Sequence, residues 1–202
     1  MSVSELSTST QNYLKAIWGL KEWSSEPVTA TLIAKQLGLK LSSVSDAVRK
    51  MAKQGLVSHT PYGSVELTEL GRQYALVMVR RHRLLESFLV QALGYTWDEV
   101  HNEAENLEHA VSDMLIERVD KFLDYPTRDP HGDPIPTVDG QITIPSAHRL
   151  TDSGAQSQVT VERISDSDPQ LLKFLEERGI VTGAVLSLSL IHISEPTRLG
   201  MI

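Results

Sequence analysis

The residues with the greatest chemical capacity lie at 96–111, Thr-Trp-Asp-Glu-Val-His-Asn-Glu-Ala-Glu-Asn-Leu-Glu-His-Ala-Val. Thr96 and Glu99 have the spacing of a capping box, which predicts a helix start. At about 100° per residue, His101, Glu105, Glu108 and His109 then fall within an arc of roughly 100°. Carboxylates that close repel one another when left alone. A divalent cation would neutralise them and use all four side chains as nitrogen and oxygen donors. A second pair lies upstream: His82 and Glu86 in Arg80-Arg-His-Arg-Leu-Leu-Glu86 share a helix face. Taken singly, each of these residues reads as ordinary surface, since most glutamates are solvated and most lone histidines are not ligands. Together, and beside the DNA-binding pattern described below, they favour a metal-binding reading.

The elements that must position these groups come next. The chain has 202 residues and is 41% hydrophobic, enough for one sizeable core or two small ones. No apolar run approaches the roughly eighteen residues a membrane helix needs. The N-terminus lacks a basic, apolar leader, so a soluble cytoplasmic protein is expected. There is no cysteine. That excludes disulfides, thiolate metal sites and cysteine nucleophiles, and it leaves imidazole, carboxylate, amide and backbone oxygen as donors. The net charge of −7 argues against nucleic-acid binding on its face. Its distribution does not, because residues 29–53 carry Lys35, Lys40, Arg49, Lys50 and Lys53 against Asp46 alone.

A first helix is predicted over 9–23, with Tyr13, Leu14, Ile17, Trp18 and Leu20 as its apolar stripe. Asn12 near its start is either a polar helix-start residue or an oxygen ligand. Thr29 caps a second helix that Gly38 ends, and a third runs over 42–54 to Gly55. The connection between them has helix-turn-helix length. The third helix exposes Ser42, Ser43, Ser45 and Asp46 near its start and Arg49, Lys50 and Lys53 further on. Such residues can contact base edges and phosphates, and equally form a mixed-charge solvated face. Two short strands follow around Pro61-Tyr62-Gly63. A hairpin directly after a helix-turn-helix is a wing. The expected DNA face therefore comprises Thr29, Lys40, Ser42, Ser43, Ser45, Asp46, Arg49, Lys50, Lys53 and Tyr62.

A long helix from Thr68 to about Leu93 carries an apolar surplus at Leu84, Leu85, Phe88 and Leu89, which predicts a dimer seam. Residues 112–123 form another helix, and the proline-rich loop at 124–136 holds His131, read as a loop residue. Residues 137–155 read as a linker. After it, alternating strands flank a short helix begun by Asp168-Pro169. The expected fold class is mainly α, with a winged helix-turn-helix over 1–75 and a helical metal-binding and dimerisation domain over 76–140. A linker over 141–155 and an incomplete SH3-like β domain over 156–202 complete the division.

These stretches resemble the diphtheria-toxin-repressor family of metal-dependent transcriptional repressors, and within it the manganese transport regulators of actinobacteria. The resemblance rests on Tyr13-Leu-Lys-Ala-Ile-Trp18, the helix-turn-helix and wing, and Arg80-Arg-His-Arg-Leu-Leu-Glu86. It continues through residues 97–113 and Asp129-Pro-His-Gly-Asp-Pro-Ile-Pro136, and it covers about 9–187. It implies a homodimer that binds operator DNA when metal-loaded and controls metal-uptake genes. It also implies two metal sites: a regulatory one of Asn12, Glu105, Glu108 and His109, and an ancillary one of His82, Glu86 and His101. The candidates to complete the latter are Asp168 and Gln170. Iron-sensing members place cysteine and methionine where Glu105 and Asn12 stand. Harder oxygen donors fit Mn²⁺, with Fe²⁺ as the alternative. Manganese sensors usually carry aspartate at the Asn12 position, and Lys15 one turn on cannot be a ligand while charged.

From about Leu188 the sequence leaves the family pattern. Leu188-Ser-Leu-Ile-His-Ile-Ser-Glu-Pro-Thr-Arg-Leu-Gly-Met-Ile202 resembles translated adapter read-through joined to a truncated gene, and His192 is read as no ligand. A metallohydrolase could use the same histidines and glutamates. The chain lacks His-Glu-x-x-His and any serine or cysteine nucleophile motif, so no enzyme is expected. A metal-independent winged-helix regulator is the other alternative.

Overall fold

The computed structural model describes residues 3–60, 63–154 and 157–189. Helix α1, Thr8–Trp23, starts at Ser7, whose hydroxyl accepts from Thr10 N. Helix α2, Ala30–Leu37, is capped by the Thr29 hydroxyl and stopped by Gly38 at φ 65°. Helix α3, Leu41–Lys53, turns Val44, Val48 and Met51 inward. Strands β1, Val57–His59, and β2, Val65–Leu67, pair antiparallel with Ser58 opposite Glu66. Val65 N also donates to Val28 O at 2.7 Å, which hooks this wing onto the segment before α2. Leu14, Ile17, Ile33, Val44, Val48, Met51 and Val57 form the first core. Tyr62, at the wing tip, lies outside the described residues.

Helix α4, Glu69–Leu93, is the axis of the molecule. Thr68 caps it and Gly94, at φ 73°, stops it. Its first turns close the first core through Tyr74, Ala75 and Met78. Its later turns build a second core, where Leu84, Leu85 and Leu89 meet Val100 and Ala104 of α5 and Ile116 and Val119 of α6. Helix α5 is Trp97–Leu107 and carries the expected capping box; α6 is Asp113–Phe122. The change of core along one unbroken helix falls between Met78 and Leu84.

This packing corrects the reading of the apolar surplus on α4. Leu84, Leu85 and Leu89 are buried inside the protomer because α5 and α6 fold back over them. Phe88 is half-buried and meets the Phe122 ring edge-on at 5.7 Å. Exposed large apolar groups around this second core include Leu93, Met114, Leu115 and Phe122, the last 67% exposed.

After an extended, largely exposed stretch, β3, Gln158–Thr160, and β4, Val185–Ser187, pair antiparallel. Helix α7, Pro169–Glu176, lies between them in sequence, and Leu172, Leu175 and Ile164 pack with Trp97 of α5. Gly132, at φ 90°, lets the proline-rich loop approach this unit. A Cβ there would stand 2.1 Å from the Glu162 carbonyl oxygen. The described part of the C-terminal segment is thus seated on α5 and the proline-rich loop. His192 and most of the aberrant tail lie outside the described residues.

Candidate metal centre and DNA face

His82 and Glu86 stand one turn apart on α4 and face His101 on α5. His82 is doubly engaged. Its Nδ1 is 2.6 Å from Glu108 Oε2, and its Nε2 is 3.0 Å from Glu86 Oε1. Burial works against charge on this imidazole, but Glu86 and the hydrogen bonds to Glu108 and Glu86 prevail over it and over Lys15. Its pKa is pushed up to about 9. His101 Nδ1 lies 3.3 Å from Glu86 Oε1 and 3.0 Å from Asp166 Oδ2. Burial again opposes charge, Asp166 and Glu86 outweigh it, and the pKa reaches about 10. Glu86 is buried, which by itself would raise its pKa; His82 and His101 hold it well below the usual carboxylate range.

The second group adjoins the first through His82. Helix α5 ends at Leu107, so Glu108 is its cap residue and His109 lies beyond it. The expected single helical face therefore bends at Glu108, whose side chain is 0% exposed. Glu108 accepts from Lys15 Nζ of α1 at 2.7 and 2.8 Å, and Glu105 makes a short ion pair with the same ammonium. Burial opposes the Glu108 charge, but the His82 hydrogen bond and Lys15 keep its pKa below the ordinary value.

His109 is set by a different partner. Gln11 Nε2 donates to the carbonyls of Val3 and Leu6, which turns Gln11 Oε1 toward His109 Nδ1 at 2.6 Å. Nδ1 must then carry the proton, leaving Nε2 with its lone pair. That Nε2 is buried, has no hydrogen-bond partner and lies 3.5 Å from Glu108 Oε1. Burial lowers the His109 pKa, which favours this neutral form.

Among the described residues no hydrogen bond joins Asn12 to Glu105, Glu108 or His109. Its Oδ1 is buried without a partner, and the residue lines a cavity of about 330 Å³ with Tyr13 and Leu39. Asp168 and Gln170 fall elsewhere. Asp168 caps α7, its carboxylate accepting from Gln170 N and Leu171 N, and both side chains are exposed. Asp166 takes the place beside His101, two residues earlier. A third group involves a residue read as plain loop. His131 is 1% exposed, both ring nitrogens lack hydrogen-bond partners, and it stands with Asp129 and with Glu86, whose Oε2 is 3.9 Å from its Nδ1.

This donor set fits a divalent ion. The clusters His82–Glu86–His101–Asp166, His82–Glu105–Glu108 and Glu86–Asp129–His131 each bring nitrogen and oxygen donors within 4.8 Å of one another. The orphaned Nε2 of His109 and the ring nitrogens of His131 are buried donors in need of a partner. Imidazole and carboxylate without sulfur suit transition metals of intermediate hardness.

On the opposite side of the winged helix, Lys40, Ser42, Ser43, Asp46, Arg49, Lys50 and Lys53 are exposed. Ser45 is half-buried and donates to Leu41 O at 2.9 Å, and Arg49 forms a short ion pair with Asp46. Thr29 spends its hydroxyl as the cap of α2.

Comparison with known proteins accounts for both halves. The N-terminal DNA-binding domain of iron-dependent repressors matches residues 5–65, and their metal-binding and dimerisation domain matches 68–137. The iron-dependent repressor IdeR of Mycobacterium tuberculosis is 35% identical, over 90% of this chain and 84% of that protein. A solved manganese-dependent transcriptional repressor complex with manganese is 51% identical, with TM-score 0.86 over 90% of this chain and 83% of that one. The manganese regulator SloR is 36% identical, with TM-score 0.76 over 92% and 85%. Likeness that runs through both domains in the same order leaves one assignment: the chain belongs to the diphtheria-toxin-repressor, or iron-dependent repressor, family of metal-dependent, dimeric, DNA-binding transcriptional repressors, and is a regulator rather than an enzyme.

Proposed function

We propose that Mn²⁺ is the activating ion and that operator binding depends on it. Glu105, Glu108 and His109 hold one ion, with Asn12 of α1, whose Oδ1 is buried without a hydrogen-bond partner, as a further candidate oxygen donor. His82, Glu86, His101 and Asp166 hold another, and Asp129 and His131 extend that second site. The observation that carries this reading is the buried, partnerless Nε2 of His109 beside a fully buried Glu108. When bound, a divalent ion supplies the positive charge these carboxylates need and links donors on different helices. The protein's own residues do the rest. Gln11 fixes the His109 tautomer, and α5 presents Glu105 and Glu108 to α1, the helix that opens the winged-helix domain. Such a link shifts the DNA-competent population only by its differential affinity for that state.

Sulfur-free donors favour Mn²⁺, in keeping with the manganese-dependent repressor at 51% identity. The iron-dependent relatives support Fe²⁺ as the second reading. The units divide as 1–75, 76–140, a linker at 141–155 and 156–202. Arg49, Lys50 and Lys53, with Lys40, supply phosphate contacts, while Ser42, Ser43 and Asp46 approach bases. The exposed apolar groups Leu93, Met114, Leu115 and Phe122 form the dimer face. A repressor of metal-uptake genes with this role works in the cytoplasm. The test is Glu108→Gln, which keeps shape and removes one charge. Mn²⁺-dependent operator binding is expected to require about tenfold more Mn²⁺ or worse, with the circular-dichroism spectrum unchanged. Parental Mn²⁺ dependence in both Glu108→Gln and Glu105→Gln places the regulatory site elsewhere.

A further inference from the structure

Lys15 stands out among the basic residues of α1. Its ammonium sits within hydrogen-bond distance of both Glu108 oxygens, at 2.7 and 2.8 Å, pairs closely with Glu105, and lies 3.4 Å from His82 Nδ1. The side chain is 17% exposed, and Glu108 beneath it is fully buried. One cation thus spans the carboxylates that, on the reading above, bind metal. An ammonium and a divalent ion on the same oxygens repel each other in a partly buried site, so each weakens the other's hold there.

We propose that Lys15 is a tethered competitor of the metal: its ammonium occupies the oxygens of Glu105 and Glu108 and must leave before a divalent ion binds there. The inference rests on the assignment of those two glutamates as metal ligands. The competition has a direction. An ammonium brings a single charge and three donors on a flexible stem, so it neutralises only part of the negative charge and swings out at modest cost. A divalent transition ion brings twice the charge and direct bonds to the same oxygens. Ions that give up hydration water reluctantly, such as Mg²⁺, compete poorly against a counter-ion already in place. Lys15 therefore raises the metal concentration at which the protein responds and sharpens discrimination against weakly coordinating ions. Because Lys15 belongs to α1, the exchange also breaks an existing tie between the winged helix and α5.

The experiment is a calorimetric Mn²⁺ titration of the full chain, of Lys15→Met and of Glu108→Gln. Methionine keeps the aliphatic bulk and removes the charge. Lys15→Met is expected to bind Mn²⁺ about tenfold more tightly than the parent, since no cation has to be expelled. Equal or weaker affinity overturns the proposal, because a ligand role or a purely structural role for Lys15 predicts that sign. If the parent and Glu108→Gln bind Mn²⁺ alike, the metal-site assignment itself has failed, and the competitor role falls with it. A second measurement needs no variant. Acylation of Lys15 by an amine-reactive reagent, read by peptide mass spectrometry, is expected to rise several-fold when Mn²⁺ is added to the parental protein. Unchanged or reduced labelling overturns the displacement.

Discussion

Replacing Arg83 by methionine removes the central cation of a buried ion network that joins three parts of the chain. The guanidinium of Arg83, on α4, donates to both oxygens of Glu22 near the end of α1, at 3.2 and 2.6 Å. It also donates to the Pro134 carbonyl at 2.7 Å and to Asp133 at 3.2 Å. Arg163, from the C-terminal unit, completes the network through Asp133 at 2.6 Å and Glu22 at 3.5 Å. The Arg83 side chain is 8% exposed and that of Glu22 is fully buried. Methionine would fill much of the volume and leave Glu22 with Arg163 alone. Breaking a buried pair from one side costs about 3–5 kcal/mol. At about 2–4 °C per kcal/mol for a chain of this size, the melting midpoint should fall by roughly 6–20 °C. The lower end is favoured, because two neighbouring carboxyls can take up protons. Burial pushes the Asp129 pKa well up, with Glu86 and Asp133 adding to it, and burial likewise raises Asp133 against the pull of Arg83 and Arg163. Losing Arg83 removes a charge that favours their ionised forms, so the deficit should be smaller at pH 5 than at pH 8. Thermal unfolding followed by circular dichroism at both pH values measures this. A midpoint within about 2 °C of the parent at pH 8 would refute the reasoning. So would a deficit that does not shrink on acidification.

Two further expectations concern the ligands and the DNA face. His82 and His101, with pKa values of about 9 and 10, must lose protons to serve as ligands. Mn²⁺ affinity should therefore rise with pH through this range with proton release, and calorimetry in buffers of different ionisation enthalpy would detect a pH-independent affinity that contradicts it. Without metal the sign reverses. The stability these raised histidines contribute is complete below about pH 6.5 and is lost as pH climbs through 9–10. Exposed Lys50 should act as a phosphate contact, so Lys50→Ala is expected to weaken binding to all sequences and to shallow the salt dependence by about one unit. An unchanged slope in a filter-binding series removes Lys50 from that role.

The helices were legible because their ends carry local chemistry. Thr29, Thr68 and Ser112 each accept from the backbone N–H three residues on, and Gly38 and Gly94 adopt the left-handed conformation that stops a helix. His82, Glu86, His101 and Glu105 were legible because spacings of four share a face. What the sequence did not disclose depends on contacts across the chain. Lys15 meets Glu108 over 93 positions, and no local pattern marks such an encounter. Leu84, Leu85 and Leu89 have the periodicity of a buried face, but periodicity does not say whether a partner or the protomer's own α5 and α6 will cover it. In one case a usable signal existed. Asp168 precedes Pro169, and aspartate before a first-turn proline is a strong helix start. An aspartate committed to a cap is a poor ligand candidate, which points to Asp166 instead. His131 could have been weighed differently too, since Asp129 and Asp133 on either side of Gly132 concentrate donors in a short turn.

The segment Arg80-Arg-His-Arg-Leu-Leu-Glu86 shows how one helix serves both stability and response. A helix surrounded by protein on most sides must find a partner for every charge it buries. Arg80 turns to Asp120 at 2.6 Å and the Pro136 carbonyl at 2.7 Å. Arg81, 1% exposed, reaches Asp113 at 2.6 Å and the Glu108 carbonyl at 3.4 Å. Arg83 takes Glu22, His82 turns to Glu108, and Glu86 turns to His101. These arginine contacts tie α1, α6 and the proline-rich loop to α4. His82, its pKa pushed up to about 9, changes its charge in the mildly alkaline range. It is also the residue shared between the two adjoining ligand groups, with one ring nitrogen facing each. If both groups hold metal as proposed, His82 is the side chain through which one would act on the other. Altering His82 should disturb metal binding at both, whereas altering Asp166 should act first on the group that holds His101.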